Sequence, residues 1–266
     1  MTLRRADGEP DDDRSQGSDR AVSDVVGYVL VFALVTATIG TVFAVGFVGL
    51  EDRQNAERVA NVERAFDVFD DNVRDIQRYE DPSRATEIRL SDGTLSLQAE
   101  TRVTLEYENE SGTFDGRSFR MSTLTYTNGD TTIAYEGGAW FRVDGDRATM
   151  RSPPRFVAED DRTVLPVVRL IRDDDVEAIR TDGTVQVSTR LSGSSTNRYP
   201  VPASGEVESI RLRIESPYAD AWAEYFEESD EFSDFSRPND GEVVATVEED
   251  ERVSLRVVGV RVSLRQ

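Results

Sequence analysis

The sequence predicts an α+β protein, in which a long N-terminal α-helix precedes an antiparallel β-rich head domain with one short inserted helix. Three observations predict this class. Residues 25–50 are an apolar run whose only ionisable side chain is Tyr28. An amphipathic stretch with helical spacing follows this run without an intervening Pro. From Arg84 onward, apolar and polar residues alternate at a period of two, which is typical of strands.

The apolar run is long enough to cross a membrane. Its roughly 26 residues, at about 1.5 Å each, exceed the roughly 30 Å of a hydrocarbon core. A secretory signal peptide is the main alternative, but its apolar core is only about 7–15 residues long. We therefore predict a membrane or filament-core helix over residues 22–50. Small residues offer surfaces for close helix packing, although such residues are common in any membrane helix; these are Gly27, Gly40, Gly46 and Gly49.

Residues 51–80 are predicted to extend the helix outward as an amphipathic segment. Six apolar residues recur every three or four positions and define one stripe: Val59, Val62, Phe66, Phe69, Val73 and Ile76. The helix is expected to end near Tyr79, before Asp81-Pro82. The stripe could pack on the chain's own head domain, or it could form a two-chain coiled coil.

Residues 84–266 are predicted to form the head, a sandwich or curved sheet of about nine or ten strands. Hairpin turns are expected at three sites: Ser91-Asp92-Gly93, Asn128-Gly129 and Gly137-Gly138. Pro166 favours an edge strand or a bend. Residues 191–205 and 229–240 are predicted loops, and a short helix is expected over residues 218–228.

The composition excludes several classes of function. The net charge is −21, with 52 acidic residues against 31 basic ones, which argues against nucleic-acid binding. Because Cys and His are both absent, the chain has no disulfide, no Ser-His-Asp triad and no Cys/His zinc site. The runs of carboxylates lack the spacing of a calcium loop. We therefore expect a protein that is not an enzyme and that needs no metal or cofactor.

All 31 basic residues are Arg, since the sequence contains no Lys. An acidic surface with Arg in place of Lys resembles proteins of salt-loving archaea, in which carboxylates hold hydration at high ionic strength. The alternative is an acidic protein of ordinary salt tolerance.

The junction before the apolar run carries a further resemblance. It reads Asp19-Arg20-Ala21-Val22-Ser23-Asp24, after a short charged leader and before an unbroken apolar helix. This order resembles the class III leader of archaeal type IV pilins. The resemblance implies that a prepilin peptidase removes residues 1–21, with the processing site formed by Arg20, Ala21 and Val22. Cleavage after Arg20 and cleavage after Ala21 are both compatible with the match.

Asp24 departs from the family pattern, because many of these pilins carry Pro at that position. A carboxylate there could neutralise the new α-amino group, which would be costly to leave unpaired in an apolar core. The alternative is that Ser23 or Asp24 caps the start of the helix.

The function that the resemblance implies is that of a pilin-like structural subunit of a type IV pilus-type surface filament, acting in adhesion. The implied partners are a prepilin peptidase, a pilus assembly ATPase, a membrane platform protein, other pilin subunits and the membrane. The chain would then be a single-pass membrane protein with an extracellular C-terminal domain, or part of an extracellular filament. The sequon at Asn109 is a candidate for N-glycosylation. The alternative functions are a membrane-anchored extracellular β-domain that binds a ligand without assembling and, less favoured, an extracytoplasmic hydrolase.

Overall fold

The computed structural model describes residues 16–109, 112–159, 162–199, 207–229, 232–247 and 252–266. Within these ranges, side chains are not described at residues 16–23, 45–52, 109, 113–115, 158–159, 199 and 207–208. The chain divides into two compact units, Met1–Ala56 and Glu57–Gln266, and each is described by itself.

The first helix, α1, spans Gln16–Tyr79 and ends where the sequence predicts. Glu80 follows it with a φ of 57°, and its N–H donates to the carbonyl of Ile76 at 3.1 Å, which closes the last turn. The helix begins at Gln16, so its backbone already includes residues 16–20 of the charged leader, although such a charged, apolar-poor segment is expected to be irregular. This early start also places Asp24 inside the helix of the uncut chain rather than at its N-cap.

Fourteen strands and one short helix follow α1 in the described part of the chain. The strands are β1 (Ser83–Arg89), β2 (Thr94–Asn109), β3 (Gly112–Asn128), β4 (Thr131–Glu136), β5 (Ala139–Asp144), β6 (Arg147–Ser152), β7 (Val157–Glu159), β8 (Arg162–Arg172), β9 (Ala178–Arg180), β10 (Thr184–Tyr199), β11 (Val207–Glu215), β12 (Phe232–Ser236), β13 (Glu242–Val247) and β14 (Arg252–Arg265). The short helix α2 spans Ala219–Glu228, between β11 and β12.

The strands form two groups. One group has the order β1-β10-β14-β8-β7, and the other has the order β12-β13-β11-β2-β3-β4-β5-β6, with β9 also paired to β2. Two residue pairs join the groups in the described part of the chain, which are Ser122 of β3 with Leu170 of β8 and Gly137 of the β4–β5 turn with Val168 of β8. The prediction of a purely antiparallel head is wrong at one place, because β14 and β8 pair in parallel. No local turn signals this pair, since the two strands lie far apart in the sequence.

The apolar stripe of α1 packs inside the second compact unit. Each of its six residues is buried, from Val59 at 8 % exposure to Ile76 at 0 %. They form one core with apolar side chains of β1–β5, β8, β10 and β14, which we call the helix core. The prediction that the stripe packs on the chain's own head domain is confirmed.

A second core, the sheet core, lies around α2. Trp222 is its largest side chain, and the rings of Phe141, Phe156 and Phe226 lie 5.7, 6.5 and 5.9 Å from it between centroids. The long strands β2, β3 and β14 contribute to both cores. The predicted short helix is confirmed, with Ala221, Trp222 and Phe226 buried.

Two of the three predicted hairpins form. Asn128 pairs with Thr131 around Gly129, and Glu136 pairs with Ala139 around Gly137-Gly138. All three glycines have positive φ, as such tight turns require.

The third hairpin prediction is wrong. The turn at Ser91-Asp92-Gly93 does not join paired strands, because β1 pairs with β10. The turn instead bonds to the similar turn at Thr181-Asp182-Gly183. Leu90 N–H donates to the carbonyl of Gly183 at 2.8 Å, and Asp92 N–H donates to Asp182 Oδ1 at 3.2 Å. A partner turn so distant in the sequence leaves no local signal.

Two predicted loops contain strands. Residues 191–199 continue β10 along β14, and residues 232–236 form β12 beside β13. Polar residues conceal these strands because they pair on exposed surfaces, where Ser, Thr and Asn are well tolerated. The strand count therefore exceeds the predicted nine or ten. Pro166 pairs with Arg256 of β14, while the other side of β8 pairs with β7 at residues 162–164 and with β3 at Leu170. The strand is therefore interior and not the predicted edge strand, although Pro166 lies between the two pairings on that side, where a missing N–H is tolerated.

Candidate functional site

The first compact unit presents an uncovered apolar helix surface. Every side chain from Asp24 to Ala44 is exposed, including Leu30 at 64 % and Phe32 at 62 %. These 21 residues are long and apolar enough to cross a membrane. The space around two of the predicted packing positions is empty, because a Cβ added at Gly27 or Gly40 meets nothing within 4 Å.

Two hydroxyl groups inside this segment donate hydrogen bonds to the backbone of the helix itself. The hydroxyl of Thr38 donates to the carbonyl of Leu34 at 2.8 Å, and that of Thr41 donates to Ala37 at 2.9 Å. Such bonds within one helix remove the cost of a hydroxyl in an apolar environment. The surface of the segment is therefore suited to lipid or to other apolar helices.

The other predicted site residues are only partly described. Arg20, Ala21 and Val22 lie in the helical backbone, but their side chains fall outside the described residues, as do the surroundings of Gly46 and Gly49. Asp24 is exposed.

The sequon residue Asn109 ends β2 and pairs with Gly112 across a two-residue connection. Its side chain and residues 110–111 lie outside the described residues.

The second compact unit holds a cavity lined by arginines, with a volume of about 710 Å³. We call it the arginine cavity. Its lining comes from the end of α1, the segment before β7, and strands β7, β8 and β14; the residues are Asp71, Arg74, Asp75, Gln77, Arg78, Tyr79, Arg155, Val157, Val164, Pro166 and Arg256. Four guanidinium groups and two carboxylates therefore meet there, which reverses the charge balance of the chain as a whole.

One of these arginines is held rigidly. Arg74 Nη2 lies 2.8 Å from Asp70 Oδ2, and it donates to Ser152 Oγ at 2.6 Å and to the carbonyl of Pro153 at 3.3 Å. Ser152 Oγ in turn donates to Asp70 Oδ2 at 2.9 Å. Burial of Asp70 raises the pKa of its carboxyl to about 6, against the opposing effects of Arg74 and Ser152.

A second buried carboxylate, Glu136 at the end of β4, accepts hydrogen bonds from β2, from β3, from the segment after β11 and from α2. It accepts hydrogen bonds from Thr123 Oγ1 at 3.0 Å and Trp222 Nε1 at 2.9 Å, and also from the hydroxyls of Thr101 and Ser216. Burial raises its pKa, while these four donors oppose the increase. Because every donor belongs to the fold and the group is wholly buried, we interpret Glu136 as a structural tie between the β4–β5 hairpin and α2.

The arginine cavity, Asp70 and Glu136 are not among the sites predicted from the sequence. The cavity is assembled from separate segments, and two buried acids have no signature among 52. Asp70 alone carried a usable signal, because it lies four residues after Phe66 and three before Val73, on the face of the stripe. As for a metal centre, no group of three or more metal-binding side chains lies within the ranges that the structure describes.

Comparison with known proteins places the chain in a family. Residues 20–263 match a family of unknown function, DUF7289. The chain belongs to this family. The DUF7289 match includes both the apolar helix and the β-rich unit. No solved structure matches the chain.

One curated relative is an uncharacterized protein of Archaeoglobus fulgidus, which is 32 % identical over 78 residues. The matched part is 29 % of this chain and 26 % of the relative. The chain thus spans about a quarter of that relative's length.

Proposed function

We propose that this protein is a pilin-like structural subunit of a surface filament. The observation that carries the proposal is the contrast within α1. The stripe from Val59 to Ile76 is buried in the chain's own β-rich unit, whereas Asp24–Ala44 is wholly exposed and almost wholly apolar. The buried stripe completes the core of the head, whereas the exposed segment Asp24–Ala44 needs a partner outside the chain.

The proposal assigns two successive partners to Asp24–Ala44. The first is the lipid bilayer, which this segment crosses once before assembly, with the β-rich unit outside the cell. The second is the same segment of other copies. Gly27 and Gly40 are open on the helix surface, so backbones could approach closely there without displacing a side chain.

The family match supports treating helix and head as one functional unit, because it covers both. It begins at Arg20, next to the predicted cut, so that most of the charged leader lies outside it. The proposed sequence of events is cleavage beside Ala21 by a prepilin peptidase, followed by extraction from the membrane by an assembly ATPase and a membrane platform protein. Life at high salt, adhesion and the absence of enzymatic activity stay predictions of the same proposal.

The first test is the mass of the mature chain. Intact-mass analysis of membrane-derived protein is expected to show loss of residues 1–20 or 1–21. Ala21→Leu is expected to block this loss, because the small residue at the cut is replaced by a bulky one. Ala6→Leu, a matched change within the leader, is expected to leave processing intact. A mature chain that begins at Met1 or Thr2 contradicts the proposal and favours a membrane-anchored binding module.

The second test separates assembly from anchoring. Gly40→Leu keeps the segment apolar, so membrane insertion is expected to be unchanged, but a bulky side chain at a packing position holds helices apart. We expect the variant to be processed and absent from sheared surface material. Val29→Leu, which enlarges a side chain that is already exposed, is the control and is expected to be sheared like the wild type. Equal amounts of wild type and Gly40→Leu in sheared fractions favour the anchored module.

A further inference from the structure

We propose that the arginine cavity binds a small organic acid that carries two carboxylate groups on a short apolar body. No part of the proposed function requires such a site. The size, the charge and the lining of the cavity favour such a ligand.

The size of the cavity fits a small molecule. A volume of about 710 Å³ lies within the roughly 300–1,000 Å³ that is usual for ligand pockets. The cavity is formed within one compact unit, since all of its lining residues lie between Glu57 and Gln266.

The charge of the lining favours an anion with two separate acidic groups. Both lining carboxylates have arginine partners, since Asp71 lies 4.0 Å from Arg74 and Asp75 lies 3.4 Å from Arg84. By contrast, neither Arg78 nor Arg155 has a carboxylate within 4 Å among the described residues. These two guanidinium groups come from different walls, one on α1 and one before β7. A planar guanidinium pairs well with a carboxylate, so two separated guanidinium groups suit two carboxylates.

Arg74 gives the lining one guanidinium group whose position is fixed. Its Nη2 is held by Asp70, Ser152 and the carbonyl of Pro153. A side chain that is already ordered loses less conformational entropy when it contacts a ligand.

Four side chains form an apolar part of the lining, while Gln77 donates to the carbonyl of Pro166 and Arg256 pairs with Glu80. Tyr79 is 63 % exposed and Val157 is 44 % exposed, and Val164 and Pro166 complete this surface. The guanidinium of Arg78 lies 5.3 Å from the centre of the Tyr79 ring, which keeps the cation beside the apolar surface. Together these features select an acid with a short hydrocarbon body over an inorganic anion.

The test is calorimetric titration of the full-length protein in detergent micelles with glutarate. We expect saturable binding of one glutarate per chain, which weakens as NaCl is added because the contacts are ionic. Glutaramide has the same carbon skeleton without charge and is expected not to bind. The double variant Arg78→Gln/Arg155→Gln is expected to bind glutarate at least about tenfold more weakly.

Arg89→Gln/Arg180→Gln is the matched control, because it removes two exposed arginines that lie outside the cavity lining. It is expected to bind glutarate like the wild type. The proposal is overturned by the absence of saturable glutarate binding, by equal binding of glutaramide, by phosphate binding as tight as that of glutarate, or by equal losses in the two double variants. Arginine-dependent self-association without glutarate binding would instead assign the cavity to acidic side chains of another copy.

Discussion

The two halves of α1 belong to one helix, but they differ in how their apolar side chains are distributed and exposed. Between Asp24 and Ala44 nearly every side chain is apolar and all are exposed. From Val59 to Ile76 the six-residue apolar stripe is buried, and the other residues are mostly polar, although Val68 lies off the stripe and is 53 % exposed. An apolar stripe suffices where a sheet covers one face. Apolarity on all sides indicates an environment that surrounds the helix, such as lipid or other helices.

The comparison also defines the smallest complete head. Among the side chains of α1 that the structure describes, six are buried in the helix core and none of these lies before Val59. Polar bonds fix the same half of α1 from the sides, because Arg142 Nη1 donates to Glu63 at 2.7 Å and Asn72 Nδ2 donates to Thr86 at 2.9 Å. The second half of α1 is therefore part of the head, although it is continuous in sequence with the apolar segment.

The largest expected effect comes from cutting the helix at two places. A fragment that begins at Glu57 keeps both cores and is expected to fold with a cooperative thermal transition and near-ultraviolet circular dichroism. A fragment that begins at Arg84 loses six buried side chains, each worth about 1.5–3 kcal/mol. That loss is on the order of 10 kcal/mol, as large as the whole stability of a typical domain, so this fragment is expected not to fold. A folded fragment from Arg84 onward would show that the helix is dispensable to the head.

Two phenylalanines, one in each half of α1, test the difference between the halves at single residues. Phe69 is 0 % exposed and Phe32 is 62 % exposed. Phe69→Ala is expected to lower the free energy of unfolding of the head by about 3–5 kcal/mol, because it leaves a cavity in the helix core. Phe32→Ala is expected to leave it unchanged. Guanidinium unfolding followed by the fluorescence of Trp140 and Trp222 measures both, and equal effects would contradict the assignment of the two halves.

A smaller effect should appear in the pH dependence of stability. The carboxyl of Asp70 has a pKa of about 6 in the folded protein, against an ordinary value of 3.8. The folded state therefore holds this proton more tightly than the unfolded state does. The resulting stabilisation is complete below pH 3.8 and is lost as the pH rises through about 6. The full difference corresponds to about 3 kcal/mol.

The measurement compares wild type and Asp70→Asn between pH 3.5 and about 7 at fixed salt. The difference between their unfolding free energies is expected to change by about 3 kcal/mol over this range. Asp71→Asn is the control, because the side chain of Asp71 is 79 % exposed. If the unfolding free energies of wild type and Asp70→Asn change in parallel with pH, burial does not raise the pKa of Asp70.

The parts of the fold that the sequence predicted are those whose signal is local. The stripe of α1, the helix α2 and the turns at Gly129 and Gly137 follow from spacing or from backbone geometry within a few residues. The failures are all pairings between distant segments, such as β1 with β10, β8 with β14, and residues 191–199 with β14. A strand's partner is selected by packing across the whole head, which no short window of sequence contains.

The candidate sites divide in the same way. The apolar segment Asp24–Ala44 was predicted because its signal is contiguous, and the structure leaves that segment exposed. The arginine cavity was missed because Arg74, Arg155 and Arg256 come from three segments that only the folded chain brings together. Cleavage beside Ala21 is predicted from a local sequence signal, but it stays a prediction because the side chains of this junction fall outside the described residues.

In the proposed filament, other copies of the chain cover the exposed half of α1. The chain has no Cys, so single cysteines placed at positions 34–40, one per variant, give a clean scan of almost two helical turns. Mild oxidation of membranes and sheared filaments is expected to yield disulfide-linked pairs at positions that recur every three or four residues, since packed helices meet along one face. Val176→Cys, on the exposed surface of the head, serves as the control for random collision. Linked pairs that are absent, or evenly spread over all seven positions at the level of this control, would contradict the claim.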